Sequence, residues 1–123
     1  MGATCDTASH TGSTLAVVAV GARAPLFEEA LSIEREINDR RYEGLTAINL
    51  AQLRLMRGDL ARARKSGEEG VRLSRETGYR YALQVGLWTL GNLALEEGHP
   101  EEARRHYTEG LALSRQTQDD RYI

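Results

Sequence analysis

The chain has 123 residues, with 16 basic against 18 acidic side chains for a formal charge of −2, and is 41% hydrophobic and 28% charged. That length bounds it at one ordinary domain, and the balance fits a globular chain rather than a disordered tail. It excludes the basic footprint of a nucleic-acid-binding domain. No apolar run approaches the roughly 20 residues of a membrane span, and the single cysteine, Cys5, cannot form an internal disulfide.

Residues 1–14 are small and polar and read as loop. Leu15 to Val20 is a short apolar run without the positive start or the roughly 7–15 residues of a secretory signal. The myristoylation pattern fails because Asp6 stands at the serine/threonine place. Residues 1–22 are therefore expected to be a flexible or irregular segment, strand-like or frayed, lying over the first helix. That helix runs from Pro25 to about Asn38, within residues 23–40.

From there the chain repeats with a period of 40. Ala30-Leu31 falls over Gly70-Val71 and Gly110-Leu111, and Ile33 over Leu73 and Leu113. Arg35 falls over Arg75 and Arg115, Leu50 over Leu90, Leu53 over Leu93, Gly58 over Gly98 and Ala63 over Ala103. Small stays on small and apolar on apolar, which marks a repeat architecture.

Residues 41–79 form one unit of two helices. The first spans Arg41 to Arg57 and closes on Gly58, since glycine takes the left-handed C-terminal position without a steric penalty. Asp59 is the expected N-cap of the second, Leu60 to about Thr77, which stops at Gly78. Residues 80–119 repeat the scheme, with a first helix from Tyr81 to Glu97, a stop at Gly98, and a second helix opened by Pro100-Glu101-Glu102. Leu45, Ile48 and Leu55 form one apolar stripe, and Ala47, Leu50, Ala51 and Leu53 another. Two stripes predict packing on both sides, as in a stacked array. The second helices carry more charge and are expected to form the solvated layer. Gly67 falls inside a helix with no packing counterpart in the repeat, so it predicts a loosely packed second unit.

These residues resemble the tetratricopeptide repeat. Leu90-Gly91, Gly98, Ala103, Tyr107 and Gly110-Leu111 match its signature, with the tryptophan displaced by one place to Trp88. Leu50-Ala51, Gly58, Ala63 and Gly70-Val71 match more loosely, with Gly67 where the aromatic belongs. Phe27 and Ala30-Leu31 fit the second helix of an incomplete first unit. The resemblance covers about residues 25–123, and its 40-residue unit looks like those of bacterial multidomain transcription regulators and signalling ATPases. It implies an all-α fold: an α-solenoid of antiparallel helix pairs winding as a right-handed superhelix, with about two and a half repeats. Asp120 to Ile123 correspond to Arg80 to Leu83, so residues 120–123 read as the start of a truncated further repeat. Missing caps predict a piece of a longer regulator, or a small protein whose open ends near Phe27 and Tyr122-Ile123 pair in a homodimer. Fifteen arginines against one lysine hint, as a codon argument, at a GC-rich bacterial source.

No catalytic set stands out, so no enzyme activity and no cofactor are expected. His99 and His106 are two helical turns apart without a third ligand, and cap or surface roles fit them better than a metal. Cys5 has no histidine partner in reach by sequence, and no phosphate loop follows the early glycines. Adjacent glutamates such as Glu68-Glu69 and Glu101-Glu102 do not face each other on a helix. They read as solvated faces supported by the pairs Glu68–Arg72 and Glu101–Arg105.

The resemblance implies a concave face built from the first helices, and such faces bind extended peptides or partner helices. By position that face takes Leu45, Ile48, Gln52, Leu55 and Met56 from one unit and Val85, Trp88, Asn92, Leu95 and Glu96 from the next. The amides of Gln52 and Asn92 can both donate and accept, and Trp88 supplies the largest contact area. Packing against the next repeat competes with ligand contact for Leu45, Ile48, Leu55 and Val85. The expected function is a non-catalytic protein-interaction module of a cytoplasmic regulator, with a protein or peptide partner and neither nucleic acid nor membrane contacted. Self-association, or service as the sensor piece of a DNA-binding or ATPase regulator, are the alternatives.

Overall fold

In a computed structural model of the chain, residues 23–122 are described, with side chains through residue 117. The expectations for residues 1–22, for Cys5 and for the side chains of Tyr122 and Ile123 lie outside them. Five helices follow one another: α1 over 23–36, α2 Arg40–Met56, α3 Leu60–Thr77, α4 Arg80–Glu96 and α5 Pro100–Tyr122. Residues 120–122 thus continue α5.

Among the described residues, four left-handed positions punctuate the chain every 20 residues: Asn38, Gly58, Gly78 and Gly98, with φ of 59°, 79°, 69° and 79°. Each turn closes the same way. The N–H of the next residue reaches back five places, Asp39 to Glu34, Asp59 to Arg54, Tyr79 to Ser74 and His99 to Ala94. This bond satisfies a carbonyl that the helix end would leave orphaned. The residue after each left-handed turn opens the next helix. Asp59 accepts from the Arg62 N–H, as its sequence predicts, and Asp39 does the same for Tyr42. Tyr79 makes no side-chain cap bond.

Close approaches fix the packing direction. Gly44 faces Leu73 and Ser74, Gly70 faces Ile48, and Gly67 faces Ala51, so α2 and α3 run antiparallel. Gly86 against Val71 and Gly67 against Leu90 make α3 and α4 antiparallel. Gly91 against Tyr107 and Gly110 against Leu87 do so for α4 and α5. Helix α4 also touches α2, because a methyl on Gly86 would stand 2.6 Å from Val71 and 2.9 Å from Ile48. Helix α4 therefore sits in the groove between α2 and α3.

Of the two apolar stripes of α2, Ala47, Leu50, Ala51 and Leu53 are buried, whereas on the other Ile48 is buried and Leu45 and Leu55 are half-buried. Ala47, Leu50 and Leu53 form one cluster with Ala24 and Leu31 of α1. On the other side, Val71, Leu83, Leu87, Leu90 and Leu93 form a second cluster, with Leu55 packed against it. Phe27, half-buried, packs against the α1–α2 cluster. Gly67 does not leave its unit loose: it is buried, and a methyl there would come within 2.9 Å of Leu90. The glycine opens the hole that Leu90 fills.

Ion pairs tie helices across the array. Arg35 pairs with Glu69 and Arg75 with Glu109, the same contact one period later. Arg64 of α3 reaches Glu97 at the end of α4, Glu102 in the first turn of α5, and Glu68 on its own helix. The expected pair Glu68–Arg72 is thus replaced by Arg64–Glu68, while Arg72 turns to Glu76. Glu101 meets Arg104 rather than Arg105. Each of these replacement pairs stays on its own helix, three or four residues apart, where exposed pairs contribute about 0.2–1 kcal/mol.

Candidate functional site

Helix α4 presents three large apolar side chains at heptad spacing: Tyr81, Trp88 and Leu95, which are 62%, 61% and 52% exposed. Residues seven apart lie on one helical face, so these form a stripe along the length of α4. An isolated exposed apolar residue is ordinary, but three large ones on a single helix face are not.

The stripe joins two hollows. On one side, Tyr81, Val85 and Trp88 of α4 face Tyr107 and Leu111 of α5 across a groove of about 440 Å³. Tyr107 anchors it. Its ring lies on Gly91, tilts against the Trp88 indole at 5.1 Å between centroids, and its hydroxyl donates to Asn92 Oδ1. Burial pushes the Tyr107 phenol above its ordinary pKa, so it remains a neutral donor at physiological pH. Below it Gln84 donates to the Ser114 hydroxyl. On the other side, Leu55, Met56, Asn92, Leu95 and Glu96 line a hollow of about 560 Å³ between the ends of α2 and α4.

The structure divides the residues expected on the binding face. Leu55, Met56, Asn92, Leu95 and Glu96 gather in the α2–α4 hollow. Val85 and Trp88 belong to the α4–α5 groove. Leu45 and Gln52 are half-buried on α2 and line neither. Ile48 is completely buried beneath Gly70 and Gly86. Tyr81, Tyr107 and Leu111 also line the groove, with Gln84, His106, Gly110 and Ser114, and none of these is among the expected site residues. The spacing of Tyr81 to Trp88 and of Tyr107 to Leu111 carried that signal.

The chemistry available is apolar contact with amide and hydroxyl hydrogen bonding, beside the His106 imidazole in the groove and the Glu96 carboxyl in the hollow. Among the described residues, no three His, Cys, Asp or Glu side chains gather as a metal site, and no helix is long and apolar enough to cross a membrane. Comparison of the chain with protein-family models and with curated protein sequences finds no match.

Proposed function

We propose that this chain is a non-catalytic protein-interaction module, a tetratricopeptide-like solenoid of antiparallel helix pairs forming a right-handed superhelix within a cytoplasmic regulator. Its α4 stripe binds a helix or peptide of a partner protein. The observation that carries this reading is the exposure of Tyr81, Trp88 and Leu95 along one face of α4, beside two hollows. Aromatic residues centred on such a surface supply most of the contact energy in protein interfaces. The antiparallel order of neighbouring helices, the α2–α4 contact and the 20-residue punctuation support the solenoid arrangement.

The test is a display selection of helical peptides on the full chain. Selected binders are expected to lose at least about tenfold in affinity on Trp88→Ala or Leu95→Glu, with unchanged melting curves. Binders that ignore both substitutions, or a selection that yields none, would refute the reading.

A further inference from the structure

One junction of the array has its charges inverted and its centre missing. Between α4 and α5 the Arg64 side chain closes the step from one helix to the next, held by Glu97, Glu102 and Glu68. Forty positions earlier, at the step from α2 to α3, Ala24 stands for Arg64, Arg57 for Glu97 and Arg62 for Glu102. Glu28, standing for Glu68, keeps its sign. A methyl does not fill the space of a guanidinium. Ala24, Glu28, Arg57 and Arg62, with Leu53, Arg54 and Asp59, border a hollow of about 170 Å³. It shares Glu28, Arg54 and Arg62 with a wider hollow of about 330 Å³, whose buried wall is Leu31, Ala47, Leu50 and Ser66 and whose rim carries Lys65.

Not all of the cations here are paired. Arg35 is held by Glu69 and Glu43, Arg54 by Glu28, and Arg62 by Asp59 at 3.6 Å. Arg57 and Lys65 are exposed and hold no carboxylate among the described residues. Ser66 is 7% exposed, and its oxygen accepts from Arg54. Ser74, Thr77 and Thr89 each donate to the carbonyl four residues back. Ser66 makes no such bond and donates to no described residue. A buried hydroxyl proton is thus left without an acceptor in the wall of the hollow, at a cost of about 1–3 kcal/mol.

We propose that this junction binds a small phosphate monoester, its phosphate in the place of the Arg64 guanidinium and its organic body against Leu31, Ala47 and Leu50. The phosphate bridges Arg57 and Arg62 as Arg64 bridges Glu97 and Glu102, with the signs exchanged. Ser66, one turn on from Arg62, supplies a neutral donor. A phosphate monoester carries about −1.5 to −2 charge at pH 7, which matches the two unpaired cations, whereas a carboxylate brings about half of that. An apolar wall with a few convergent polar groups is the usual lining of a small-molecule site. The chain has few carboxylates left to fill the place itself. Residues 1–22 hold one, Asp6, and Asp119 and Asp120 lie on α5, which makes no contact with α2 among the described residues. None of these lining residues borders either hollow beside the α4 stripe, so this site is separate from the peptide surface proposed above.

The probe is phenyl phosphate, titrated into the full chain by isothermal titration calorimetry near neutral pH, with inorganic phosphate alongside. Saturable binding of one ester per chain is expected, severalfold tighter than inorganic phosphate because the ring covers the apolar wall. Arg57→Ala or Arg62→Ala should weaken it at least about fivefold. Arg104→Ala removes an equally exposed cation on α5 and should leave it unchanged. The triple variant Ala24→Arg, Arg57→Glu, Arg62→Glu rebuilds the contacts of Arg64; it should melt at or above the temperature of the parent and bind no ester. Absence of binding, equal affinity for inorganic phosphate, or equal losses on Arg57→Ala and Arg104→Ala would overturn the inference. So would a triple variant that folds and still binds. Binding seen only in Asp6→Asn would give the place to the chain's own amino-terminal segment, and capture by phosphatidic acid vesicles without binding of the soluble ester would give it to a membrane headgroup; either result overturns the inference.

Discussion

Tyr107 packs its ring directly on Gly91: a methyl on that glycine would stand 2.5 Å from Tyr107 Cε1. The ring cannot swing aside freely, because Trp88 flanks it and Asn92 Oδ1 accepts a hydrogen bond from its hydroxyl. Alanine would add about 1 kcal/mol of helix propensity, but overpacking of this kind costs about 1–3 kcal/mol. Gly91→Ala is expected to destabilise the chain on balance and to shift the emission of Trp88, the only tryptophan. A urea titration followed by that emission checks both effects. A more stable variant with unaltered emission would contradict the packing.

Two other helical glycines should behave oppositely. At Gly70 an added methyl meets the backbone, 2.8 Å from the Gly44 carbonyl oxygen and 3.0 Å from the Ile48 nitrogen. At Gly67 the near atom is the tip of Leu90, at 2.9 Å, and Ala51 stands back at 3.6 Å. Leu90 can shift, whereas the helix backbone cannot. Gly70→Ala should therefore cost at least about 2 kcal/mol, and Gly67→Ala should stay within about 1 kcal/mol of the parent. Paired thermal melts decide it, and equal losses would refute the distinction.

Arg64 and Arg75 set the acid sensitivity. Their guanidinium groups hold the Glu102 and Glu109 carboxyls below the ordinary range. A carboxylate with a lowered folded pKa stabilises above its unfolded value of about 4.3 and loses that contribution as pH falls through the folded value. Glu34 works in reverse: burial raises its pKa, so its favourable contribution is present at low pH and fades as pH rises. With the two lowered groups prevailing, stability should fall between about pH 5 and pH 3, and Glu102→Gln should flatten the slope. Arg64→Ala should cost about 1–2 kcal/mol at neutral pH. Urea midpoints at several pH values check this, and parallel profiles for parent and Glu102→Gln would contradict it.

Asn38 holds the left-handed place that glycine holds at the three later turns. Asparagine tolerates that conformation and a β-branched residue does not. Asn38→Gly should be neutral or stabilising by up to about 1 kcal/mol, and Asn38→Val destabilising by about 1–2 kcal/mol. Melting temperatures of the two variants should move apart; identical values would remove the strain argument.

Much of the helix order is legible in the residues, because Gly58-Asp59, Gly78 and Gly98 each mark a boundary through a local steric rule. At Asn38 the sequence marks the end of the first helix but not its left-handed turn, because asparagine serves the purpose without being glycine. Gly67 misleads because its partner, Leu90, lies on the following helix, and no local pattern reports a hole filled from elsewhere. The site shows the same limit. Ile48 and Trp88 hold the same place in successive units, yet one is completely buried and the other 61% exposed. Helix α4 covers the first, and no described residue covers the second. Position in the array decides exposure, and a repeat pattern read one unit at a time does not contain it. Tyr81 and Leu111 belong to the groove for the same reason.

The central claim is that the stripe on α4 is a binding surface, and Trp88 reports on it directly. Acrylamide quenching of Trp88 emission should be measured with and without a display-selected helical peptide. In the free chain the indole should be readily quenched. With the peptide bound, emission should shift to the blue and quenching should fall severalfold, at a midpoint that matches the affinity. Emission and quenching that stay unchanged at saturating peptide would contradict the claim.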